Sequence, residues 1–242
     1  MTVSDVSAPP PKPNSFQRII GVLFSPNETF ASIARQPDWV VPLSLILVVA
    51  LVSGIVFAQR VDFGAPIRDA MEQNKNVSPE QVERAVRIGG AVAKVFAYCA
   101  PVVSIIFLLI IAGVLLLAFR VLGGEGDFRQ ALSVTSYSWM PGLIKSIIIT
   151  AIVASRGVSA ADLANVLRSN LAFLVSMKQN PLLFTLLAKL DVFTIWLLAL
   201  LVIGFSFVSK FSKAKSAAVV VSLWVVATLL SLIGPAIQML RR

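Results

Sequence analysis

The feature that most constrains this chain is a series of long stretches almost free of charge. They run over about 39–58, 90–119, 128–154, 191–208 and 217–240. A helix needs ~20 mostly apolar residues to cross the hydrocarbon of a bilayer, and each stretch comes close to that length or exceeds it. With 57% of residues apolar and 14% charged, a chain of this size could not cover such surface in water. Soluble domains hold roughly 45–50% apolar and roughly 25% charged residues, and the mean hydropathy here is +0.86. In hydrocarbon the backbone must satisfy its own polar groups, which for runs of this length means α-helices. The expected fold is therefore all-α, a polytopic transmembrane helical bundle of about five spans.

What lies between the runs is short and well punctuated. Residues 1–14 carry Pro9, Pro10, Pro11 and Pro13 and read as a disordered tail. Residues 15–38 read as interfacial helices. Phe16, Ile19, Ile20, Leu23 and Phe24 make one apolar stripe on a helix too short to span, with Arg18 expected to reach headgroups. Ser25-Pro26-Asn27-Glu28 has the form of a capping box that restarts a helix through Phe30 and stops it before Pro37. Ser78-Pro79-Glu80-Gln81 repeats that form, and its helix is expected to run on into the second span, kinked at Pro101. Gly123 is placed to end that span in the left-handed conformation, with Asp127 and Gln130 capping the next. The third span is broken at Met140-Pro141-Gly142. Ser159 is expected to cap a helix over 160–177, and Asn180-Pro181 to start another.

The net charge is +9, with no histidine. The basic residues sit in loops between apolar runs, so they read as topology and headgroup contacts, and nucleic acid is not an expected partner. Lys210, Lys213 and Lys215 crowd one short linker, the strongest local positive-inside signal. That places the linker, Arg120, Arg129 and the N-terminal segment in the cytoplasm and the terminal Arg241-Arg242 pair outside. The lone cysteine, Cys99, reads as a small buried residue. One cysteine, no histidine and no acidic cluster of ligand spacing give no basis for a metal site or a cofactor.

Three ionisable residues fall within or beside the apolar runs: Lys94, Lys145 and Asp191. A charge inside a membrane is costly and marks a candidate functional site. Asp191 pairing with Lys94 or Lys145 would make a polar centre between spans; the plainer reading of Lys94 and Asp191 is that both snorkel from span ends. Ser138 precedes Lys145 by two helical turns, but the Pro141 break separates them, and catalysis is not expected. Gly123-Gly124-Glu125-Gly126 follows a span, not a strand, and lacks the lysine of a phosphate loop. Trp139, Trp196, Trp224 and Tyr98 are expected to pack between helices. Gly54, Gly113 and Gly204 would allow close backbone approach, within the chain or in an oligomer.

The ordered landmarks resemble the Yip family of Rab-GTPase-interacting membrane proteins and their bacterial relatives. They begin at Leu23-Phe24-Ser25-Pro26-Asn27-Glu28-Thr29-Phe30 and continue at Gly123-Gly124-Glu125-Gly126-Asp127-Phe128-Arg129-Gln130-Ala131-Leu132, which leads into a span with Tyr137 and Pro141. They return at Leu190-Asp191-Val192-Phe193-Thr194-Ile195-Trp196, at Ile203-Gly204-Phe205 and at Lys213-Ala214-Lys215-Ser216-Ala217. The Asp-Leu-Tyr-Gly-Pro type motif of eukaryotic members is not visible. The resemblance implies a five-span protein over 39–240 with a cytoplasmic N-terminus, non-enzymatic, binding protein partners in or beside a membrane. For the bacterial type that membrane would be the inner one. The expected partner-binding surface is Phe24, Ser25, Pro26, Glu28 and Phe30 with Gly123, Gly124 and Asp127; the other class of reading is a small transporter or channel subunit built on Lys145 and Asp191.

Overall fold

The computed structural model describes residues 14–72, 77–175 and 179–240. The expected tail, apart from Asn14, and the Arg241-Arg242 pair lie outside the described residues.

Helices α1 (Ser15–Phe24) and α2 (Pro26–Arg35) form a hairpin. Asn14 caps α1 in a reciprocal box with Gln17, which satisfies donors at the first turn. The box expected at Ser25 does not form. Ser25 also ends α1, its N–H donating to the Gly21 carbonyl at 2.7 Å, and that task sets its backbone at φ −137°, ψ 60°. Arg18 does not reach outward either. It is buried in the hairpin, where its guanidinium donates to the Gln36 carbonyl at 2.8 Å and the Ser32 hydroxyl at 3.1 Å. A charged group removed from water must find such partners, and the last turn of α2 supplies them. Phe16, Ile20 and Phe24 stay exposed on the opposite face of α1.

Four helical segments are long and apolar enough to cross a membrane: α3 (Val40–Arg60), α6 (Ala100–Val121), α10 (Val192–Ser209) and α11 (Lys213–Ser231) continuing through α12 (Ile233–Leu240) as far as Ile237. The pair α7 (Phe128–Ser138) and α8 (Met140–Arg156), bent by 41° at Trp139, makes a fifth when taken as one span. The chain is thus an all-α integral membrane protein that crosses the bilayer several times. The second span begins later than Gly90. Pro101 has no N–H to give the Ala97 carbonyl, so the helix breaks at Cys99 and residues 79–98 form a separate α5 (Pro79–Tyr98). Cys99 and Tyr98 are consequently exposed, not packed. A hypothetical Cβ on Gly54 would stand 2.1 Å from the Ala97 carbonyl oxygen, so only glycine fits where that carbonyl lies against α3.

Beyond α3, the chain forms β1 (Val61–Asp62) and α4 (Ala65–Glu72), which packs on α5; beyond α8 it forms β2 (Val158–Ser159), parallel to β1. The same 97-residue offset relates Val61 to Val158 and Ser53 to Thr150, so α3 and α8 run side by side in register. No single helix follows Ser159. Its side chain caps a 3-10 turn over Ala160–Asn165, and a second turn covers Leu171–Leu174. Between them the backbone at Ser169 and Asn170 stays extended because it pairs with the residues that open α10. Asn180 then caps α9 (Pro181–Lys189), which leads into α10 across Leu190 and Asp191.

Burial inside the bundle is uneven. In α10, 39% of the most apolar window is buried against protein, but only 17% in α11, so α10 is central and α11 peripheral. Phe30, Phe119, Val134 and Phe205 meet at the centre, with the Phe119 and Phe205 rings stacked 4.9 Å apart. Gly204 lets α10 approach α7 and α2: a Cβ there would lie 2.3 Å from Val134 and 3.0 Å from the Phe30 ring. Gly113 has no comparable neighbour. Trp139 meets Phe107 edge-on at 5.6 Å, and Trp196 packs against the central cluster.

Candidate functional site

The buried ion pair of the bundle is built where the bend of one span faces the start of another. Pro141 and Gly142 open α8 just after the Trp139 bend, and Lys145 follows one turn on. Asp191 is the N-cap of α10, so its carboxylate is fixed by its own helix: Oδ1 accepts from the backbone N–H of Phe193 at 2.9 Å and of Thr194 at 3.3 Å. Oδ2 accepts from the Lys145 ammonium at 2.8 Å and from the Ser169 hydroxyl. Ser169 is held there by its carbonyl, which accepts from Val192 N–H at 3.1 Å.

The two partners are unequally enclosed. The Asp191 side chain is 1% exposed and that of Lys145 is 27% exposed. Of the two lysines considered for this acid, the structure brings Lys145 to it; Lys94 lies exposed on α5. Snorkelling does not describe Asp191, whose carboxylate turns inward. Ser138 is buried with its hydroxyl unpartnered, so no Ser138–Lys145 hydrogen bond forms. Beside the ion pair, a run of hydroxyls joins α3 to α8: Ser53 lies 2.7 Å from Thr150 and 3.3 Å from Ser146. The sequence reading passed over these three residues. The signal for them was Ser146 and Thr150 one turn apart next to an intramembrane lysine. Among the described residues no three His, Cys, Asp or Glu side chains come together to hold a metal.

The expected partner-binding residues gather on the opposite side of the bundle, at the other end of α10. Gly123 has φ +85° and ends α6, and Asp127 and Gln130 form a reciprocal box on α7. Gln130 reaches across to the Ala34 carbonyl at 2.7 Å and ties the hairpin to this turn. Glu125 N–H donates to the Ser209 carbonyl at 3.2 Å, and its carboxylate pairs with Lys210 at 2.7 Å. Phe24, Ser25, Glu28, Gly123 and Asp127 are exposed there, and Pro26 and Gly124 half-buried. Phe30 belongs to no surface: it is fully buried against α10.

Comparison with curated proteins and with solved structures returns no significant match. Comparison with known families matches residues 20–234, nearly the whole described bundle, to the Yip1 domain. On that match, covering most of the hairpin, the bent α7–α8 pair, α10 and most of the last span, the chain belongs to the Yip1 domain family.

Proposed function

We propose that the protein is a non-enzymatic membrane scaffold that binds protein partners on the side formed by the hairpin, the Gly123–Asp127 turn and the Lys210–Lys215 linker. The observation that carries this reading is that three segments distant in sequence are hydrogen-bonded into one continuous surface. Membership in the Yip1 domain family supports it. Arg120, Arg129, Lys210, Lys213 and Lys215 all lie toward that side, which supports a cytoplasmic location for it and for the N-terminus, in the inner membrane for a bacterial-type member. A cysteine placed at Ser212 in a Cys99→Ser background should resist impermeant maleimide until the membrane is opened; labelling from outside would invert the topology.

Affinity capture from gently solubilised membranes tests the scaffold. Glu28→Arg and Phe24→Ser, both exposed, should each lower partner recovery about tenfold, the effect of one ordinary interface residue. Lys145→Met combined with Asp191→Asn, which removes both charges and strands neither, should leave recovery unchanged. The Lys145–Asp191 pair favours a second reading, a small transporter, under which the same double variant abolishes proton or ion flux in reconstituted vesicles. Surface variants that leave capture intact, together with loss of flux, would exchange the two readings.

A further inference from the structure

The two halves of the ion pair differ in what they have left to offer. Asp191 accepts four hydrogen bonds, two on each oxygen, which fills a carboxylate. Lys145 has three N–H donors, and among the described residues only Asp191 takes one. The acid is sealed and the base is open.

The base opens into a recess of about 260 Å³ lined by Phe57, Gly142, Lys145, Ser146, Ile149 and Leu163. A second recess of about 110 Å³ shares Gly142 and Ser146 as walls and extends along Ile46 and Val49. The two recesses adjoin at Gly142 and Ser146, with the cationic group in the first and mostly apolar walls, interrupted by Ser104 and Ser146, in the second. Val52 and Ile55 on α3 and Ile147 and Ile148 on α8 are exposed on the same pair of helices, which places the recess beside lipid.

We propose that this recess binds the oxyanion headgroup of an anionic amphiphile drawn from the membrane, a phospholipid phosphate or a fatty-acid carboxylate, with Lys145 as its donor. A cation would find no free acceptor on Asp191. A fully hydrated small anion would lose its water to the walls of Phe57, Ile149 and Leu163 without gaining enough donors in return. An acyl chain bonded to the oxyanion removes that difficulty, because the chain lies along the apolar walls and the lipid beside them. A zwitterionic headgroup brings a cation for which the recess holds no partner. The proposal does not rest on the scaffold reading, since partner capture on the other side of the bundle is a separate measurement.

Thermal unfolding of the purified full chain in a maltoside detergent tests it, with phosphatidylglycerol, oleate, phosphatidylcholine or inorganic phosphate added. Phosphatidylglycerol or oleate at saturation should raise the Tm by about 5 °C or more, and phosphatidylcholine and inorganic phosphate by about 1 °C or less. Ile149→Trp fills the recess and leaves the ion pair in place. Lys145→Met combined with Asp191→Asn removes both charges, so neither is stranded. Both variants should stay monodisperse and lose the shift. Should one fail to fold, the other decides. The proposal is overturned if the wild type shows no anionic shift, if a folded variant keeps it, or if inorganic phosphate alone reproduces it.

Discussion

Helices α7 and α11 show what the bilayer does to the usual order of burial. In α7, residues 131–138 are all buried, although Ser133, Thr135, Ser136 and Ser138 are among them. In α11, Val221, Val225, Val226, Leu229 and Leu230 are all exposed. The more polar helix is inside and the more apolar one outside. In water the assignment would cost the exposed apolar area at roughly 25 cal/mol per Å². In hydrocarbon that term vanishes between helices, and packing and hydrogen bonds decide who goes inside. Small side chains and hydroxyls win, because they let backbones approach and have no partner in lipid. The comparison also separates chemistry from support: the Lys145–Asp191 centre joins α8 to α10, the most buried of the four single-helix spans, whereas α11 is mostly lipid contact.

The contrast between inner and outer positions can be pressed hardest at the two lysines. Lys145→Ala strands Asp191 as a buried charge and should cost about 3–5 kcal/mol of stability in denaturant titrations. Lys94→Ala, on an exposed site, should stay within about 0.5 kcal/mol. Equal effects would mean that the ion pair is not sealed. The spans' glycines give a smaller contrast. Gly54→Ala drives a methyl into the Ala97 carbonyl and should lose about 1–3 kcal/mol, while Gly113→Ala meets only the Phe128 ring, at 4.0 Å, and should gain up to about 1 kcal/mol. Thermal scans of both variants decide whether α3 and α5 pack as closely as described. The smallest effect is expected inside α7. The Ser136 hydroxyl is buried without a partner, so Ser136→Ala should be neutral or stabilise by up to about 1 kcal/mol. A clear loss of stability would mean that the hydroxyl is bonded, for instance to internal water.

Much of the site's scaffolding was legible along the chain, because caps and turns are local chemistry. The boxes at Ser78 and Asp127, the Asn180 cap and the left-handed Gly123 each depend on residues within four positions, and each is present. Ser25 failed the same test because two helices compete for one residue. The helix expected over 160–177 gave way because Ser169 and Asn170 are needed by Asp191, twenty or so residues further on. Phe30 looked like surface because its segment is amphipathic and short, but its ring fills the space left by Gly204.

The sequence by itself determined the solvent: runs of that length and apolarity need hydrocarbon, and the length matches the thickness of a bilayer. It also determined that two of the apolar runs are broken, since Pro101 and Pro141 remove hydrogen bonds wherever they stand. Only the tertiary structure decided which helices are inside, which of two lysines meets Asp191, and that Arg18 turns inward. Those outcomes depend on contacts between segments far apart in the chain, where apolar patterning carries no information because lipid and protein are equally apolar neighbours.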